Sequence, residues 1–131
     1  MSKNELVNSW IKKAESDLKN IENNFKFIDE DIPIDTVCFH CQQVVEKYLK
    51  AFLTYKELQF PYSHNLGSLV HIAESVDKSF SEIKEKAEIL SPFAVEIRYP
   101  DTSELPTISD CKDFYQIAIE IKQFILDRIQ Q

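Results

Sequence analysis

One glycine, Gly67, stands among the 131 residues of this chain. Tight hairpin turns and backbone cradles for phosphate need positions of positive φ that glycine occupies without steric cost. A chain this poor in glycine therefore builds neither a sheet full of tight turns nor a glycine-rich phosphate loop. Apolar residues instead recur every three and four positions, and the chain reads as all-α. Its length, with 44% hydrophobic and 28% charged residues, fits one domain spanning 1–131 around a single core.

The periodicity predicts an up-and-down bundle of four long helices and one short one. Val7, Trp10 or Ile11, Ala14, Leu18, Ile21 and Phe25 form the stripe of a first helix from about Lys3 to Asn24. Pro33 ends an acidic loop, and a second helix follows from Ile34 or Asp35 to about Leu58. On it Val37, Cys41, Val44, Val45, Tyr48, Leu49 and Phe52 cover an arc of about 140° at about 100° per residue. Phe39 and Leu53 fall nearly opposite that arc, which predicts a second covered face and makes them the candidate dimer contacts. Ser63, His64 and Asn65 supply caps for a short helix through Leu69, Val70 and Ala73. A fourth helix is expected over about Ser79 to Ile97, kinked at Pro92 or restarted there with Ser91 as cap. A fifth runs from about Ser109 to Arg128, with Phe114, Ile117, Ala118, Ile121, Phe124 and Ile125 as its stripe.

A formal charge of −7 excludes an extended basic surface for nucleic acid. No segment is apolar over a membrane-spanning length, and Met1 to Glu5 lacks the apolar run of a secretion signal, so the expected location is the cytoplasm. Three cysteines fit reduced thiols there. Cys38 and Cys41 form a C-x-x-C, but His64, His71 and Cys111 are scattered without paired spacing, so core packing outweighs a metal site and no metal or cofactor is expected.

His40, Gln43, Lys47 and Lys50 follow one another at three, four and three residues, a polar ridge beside the core arc. It is either an anion site or a solvated rim whose lysine stems cover apolar surface. Arg98, with Tyr99 beside it, either caps the end of the fourth helix or turns its guanidinium fork to a phosphate or a base. No nucleophile motif or carboxylate pairing announces an enzyme.

Four pieces in order resemble the HEPN family, the higher eukaryote and prokaryote nucleotide-binding domain. They are Trp10…Ala14…Asp17-Leu18; Phe39-His40-x-Gln42-Gln43-x-x-Glu46-Lys47-x-Leu49-Lys50-Ala51-x-Leu53; His64-Asn65-Leu66; and Arg98-Tyr99-Pro100-Asp101. The resemblance covers nearly the whole chain. It implies a helical bundle, commonly a homodimer with a polar cleft at the seam, often paired with a minimal nucleotidyltransferase as toxin and antitoxin. Some members are metal-independent ribonucleases with an arginine, four to six residues and a histidine near the last helix. Here no histidine follows Arg98, so that pair does not carry over. The resemblance instead implies a non-catalytic subunit that binds a nucleotide or a partner, with His40, Gln43, Lys47, Arg98 and Tyr99 as the nucleotide-binding residues. A ribonuclease toxin using His40 or His64 as substitute base, and a structural dimerisation module, are the alternatives.

Overall fold

The computed structural model describes residues 1–94 and 105–129. Helix α1, Lys3–Asn24, begins where extended Ser2 accepts the Glu5 N–H on its hydroxyl at 3.2 Å, satisfying an amide that a helix start leaves without partner. After a 3-10 turn at Asp29–Asp31, Pro33 leads into α2, Ile34–Tyr55, where a missing N–H is harmless. Helix α2 is the central element: α1, α5, α3 and α4 all pack on it. Every residue of its predicted arc is fully buried.

Centrality also corrects the expectation for Leu53, which is 0% exposed within the single chain. The wheel predicts that this second face is covered but not what covers it, and for a helix in the middle of a bundle the same chain supplies the cover at Leu53. Leu58, Phe60 and Leu66, from the chain that turns back after α2, belong to the same apolar cluster as Leu53. Phe39 remains half-buried, its ring edge-on to His40 at 5.2 Å.

The end of α2 shows what glycine scarcity costs. The Leu58 N–H donates to Leu53 O at 2.9 Å and the Glu57 N–H to Thr54 O at 3.0 Å, the paired bonds of a Schellman stop. That stop needs a left-handed residue, and Glu57 supplies it at φ 57°. Gly67 lies elsewhere, in the first turn of α3. A side chain at left-handed φ is strained by about 1 kcal/mol, partly offset in a glycine variant by greater unfolded-state freedom. Glu57→Gly is therefore expected to raise stability by about 0.5 kcal/mol, read as a higher urea midpoint at unchanged slope; a lower midpoint refutes the assignment.

Helix α3, Leu66–Glu74, takes its cap from Asn65, whose Oδ1 accepts the Ser68 N–H at 3.0 Å. The long fourth helix expected over about Ser79 to Ile97 is instead composite: a 3-10 helix at Lys78–Ile83, then α4 at Lys84–Leu90, then a 3-10 turn at Ser91–Phe93 containing Pro92. Ser91 caps no restart of its own segment; its hydroxyl accepts the Leu66 N–H of α3 at 3.1 Å. Residues 95–97 of that expectation lie outside the described residues.

Helix α5, Ile108–Leu126, opens with a capping box. The Thr107 hydroxyl accepts the Asp110 N–H at 3.1 Å while Asp110 Oδ2 accepts the Thr107 N–H at 2.8 Å. Its Ala118, Ile121 and Ile125 are fully buried, and Phe114, Ile117 and Phe124 pack partly buried against the same core. No strand occurs among the described residues, and none of their helices is long and apolar enough to cross a membrane.

Candidate functional site

Two polar clusters run along α2, one facing α1 and one facing the loop before α3. The first is organised by Asp17, an acid in phase with the apolar stripe of α1 and only 7% exposed. Its Oδ1 lies 2.7 Å from His40 Nδ1, and its Oδ2 accepts from Lys47 Nζ. An ionised carboxylate only accepts hydrogen bonds, so a neutral imidazole here carries its proton on Nδ1 and offers Nε2 as acceptor. Lys47 spends one of its three N–H groups on Asp17.

Glu46 organises the second cluster and is 3% exposed. Its Oε1 accepts from Gln42 Nε2 at 3.1 Å and pairs with His64 Nδ1 at 2.8 Å, while Oε2 accepts from Lys50 Nζ at 3.1 Å. Gln42 Nε2 also donates to the His64 carbonyl at 3.2 Å, tying the loop to the helix. Burial pushes the Glu46 carboxyl up, but the Gln42, His64 and Lys50 hydrogen bonds and the Lys50 charge together outweigh it and hold the group below its usual value. Lys50 is 4% exposed, with its ammonium 5.5 Å from the ring centres of both Trp10 and Tyr62.

The expected ridge therefore divides. His40 and Lys47 come together on Asp17 of α1, whereas Lys50 turns into the second cluster. Gln43 attaches to the second cluster by donating from Nε2 to Gln42 Oε1 at 2.7 Å. Arg98 and Tyr99 lie outside the described residues. Sequence reasoning passed over Asp17 and Glu46 as site residues. Their signal was an acid in register with apolar positions, which a soluble helix tolerates only where a donor meets it.

Cys38 and Cys41 are 1% and 0% exposed. Among the described residues no three or more His, Cys, Asp or Glu side chains are grouped to hold a metal ion. The arrangement can present two imidazole Nε2 atoms, from His40 and His64, each fixed from behind by a buried carboxylate, together with the Lys47 ammonium.

Residues 7–129 match the model of the HEPN domain. The chain belongs to the HEPN family. This HEPN chain also shares its fold with the crystal structure of an archaeal HEPN homologue, at TM-score 0.74 and 22% identity over 95% of this chain and 98% of that one. No curated protein matches it.

Proposed function

We propose that this HEPN chain is a non-catalytic, nucleotide-binding subunit whose site is the His40–Gln43–Lys47 face of α2, with Arg98 and Tyr99 contributing on sequence grounds. The single observation behind this reading is the buried Asp17 carboxylate that holds both His40 and Lys47. Burying an acid is costly unless donors meet it. Here it fixes the imidazole and the ammonium in one geometry, leaving further donor capacity on Lys47 for phosphate oxygens. The chain's acidic surface agrees with a compact ligand rather than an extended polynucleotide. A minimal nucleotidyltransferase, in a toxin and antitoxin pair, is the protein partner we propose, and a homodimer with Phe39 at its seam the assembly.

Calorimetric titration with ATP, GTP and a short RNA tests this reading. Wild-type protein should bind at least one mononucleotide, and Lys47→Ala or Arg98→Ala should weaken binding about tenfold or more, the worth of one hydrogen bond to a charged group. Absence of heat with every ligand removes the proposal. The Asp17–His40 pair favours a second reading, RNA cleavage with His40 as general base. That reading expects wild-type protein to degrade cellular RNA without added metal, and His40→Ala to abolish it.

A further inference from the structure

The second thiol of the sequence C-x-x-C is not the one that Cys38 meets. Cys38 Sγ lies 3.8 Å from Cys111 Sγ, across the α2–α5 packing and 73 residues away along the chain. Cys41 sits three residues on along the same helix, where Cβ atoms stand about 5–6 Å apart, beyond the roughly 3.5–4.5 Å that a disulfide spans. Both sulfurs of the cross-helix pair are buried, at 1% and 0% exposure.

Cys111 nevertheless contacts residues that line a groove on the surface. It is the fourth residue of α5, its N–H donates to Thr107 O at 3.0 Å, and its Sγ lies 3.9 Å from Ile34 O. Thr107 and Ile34, with Pro33 and Leu105, line an open groove of about 470 Å³. Cys111 thus stands one layer behind the groove wall, near the start of α5, and helix ends open more readily than their middles. The Cys38 hydrogen bond favours the thiolate of Cys111, against burial and the charges of Asp110 and Asp35; the start of α5 favours it too.

We propose that Cys38 and Cys111 form a reversible intrachain disulfide when the protein meets a peroxide, a covalent staple between α2 and α5. The Cys111 thiolate attacks one oxygen of hydrogen peroxide and the O–O bond breaks. The departing hydroxide takes up the thiol proton as water, leaving a sulfenic acid. The Cys38 sulfur then attacks the Cys111 sulfur. The S–S bond forms as the S–O bond breaks, and the hydroxyl leaves with the Cys38 proton as a second water. Two thiols and one peroxide become one disulfide and two waters, and a dithiol reductant reverses the staple by exchange.

The test treats the full chain with hydrogen peroxide, alkylates it in denaturant, and maps peptides by mass spectrometry without reduction. Alkylatable thiols should fall from three to one, with the monomer lighter by two hydrogens and the Cys38 and Cys111 peptides joined. Dithiothreitol should restore all three, and the oxidised chain should melt higher than the reduced one. Cys41→Ser should still form the link, whereas Cys111→Ser should not. Three persistent thiols, a link through Cys41, or a cross-link between chains each overturns the proposal. The wild-type peptide map decides even if Cys111→Ser does not fold. Because the reaction is read without nucleotide, its failure says nothing against the site on α2, nor does failure of that site touch the thiol pair.

Discussion

Glu46→Ala is expected to destabilise the fold by about 3–5 kcal/mol, the loss typical when one partner of a buried ion pair is removed. Lys50 would stay at 4% exposure with its carboxylate gone, while Gln42 Nε2 and His64 Nδ1 would lose their shared acceptor. Domains of this size are stable by only about 5–15 kcal/mol, so the variant should unfold at a much lower denaturant concentration. Pairing Glu46→Leu with Lys50→Met should recover part of the loss, because the stranded cation disappears while Gln42 and His64 still lack an acceptor. A loss below about 1 kcal/mol would mean that the network contributes little.

Acid should expose the same group. Glu46 titrates in the folded chain below its ordinary 4.5. The unfolded state therefore binds its proton first as pH falls, so the stability from this carboxylate is fully present above 4.5 and is lost as pH drops through the lower folded value. Urea unfolding at a series of pH values should show that acid limb in wild type and a shallower one in Glu46→Gln. Equal limbs would assign the acid sensitivity to other carboxylates.

Phe80→Ala should be comparably damaging, at about 3–5 kcal/mol for an aromatic removed from a packed core. Phe80 is fully buried between Phe52 of α2 at 4.4 Å and Phe124 of α5 at 5.0 Å, the second contact edge to face. It thereby clamps the Lys78–Ile83 3-10 helix to both α2 and α5. Guanidinium unfolding reads the loss, with Phe80→Leu expected to lose less because it leaves a smaller cavity. If alanine cost under about 1.5 kcal/mol, the site would have collapsed around the missing ring, and the clamp would not be needed.

The bundle was legible because its long helices carry their own signals. The first stripe predicted Lys3 to Asn24 and the helix spans Lys3–Asn24, while Pro33 placed the start of α2. Those signals are local: amphipathic period, capping side chains, and proline geometry. A fourth helix over about Ser79 to Ile97, kinked or restarted at Pro92, is the reading of Ile83, Ala87, Leu90, Ala94 and Ile97 at helical spacing. Spacing alone does not separate α from a tighter 3-10 start, which Asp77 caps here through the Ser79 N–H at 3.0 Å.

The candidate site was half legible for a related reason. His40, Gln43 and Lys47 share a face by helical spacing, and that follows from residue numbers alone. Which carboxylate meets them does not, since Asp17 is 23 residues from His40 and 30 from Lys47 along the chain. By itself the sequence determined an all-α bundle, its long helices, the HEPN resemblance and a polar ridge beside the core. Tertiary structure alone decided that Leu53 is covered within one chain, that the neighbouring pair Glu46 and Lys50 is buried, and that Cys38 meets Cys111 rather than Cys41. Periodicity assigns a side chain to a face, but its partner is set by which other helix lies against that face, and that depends on contacts far apart in the chain.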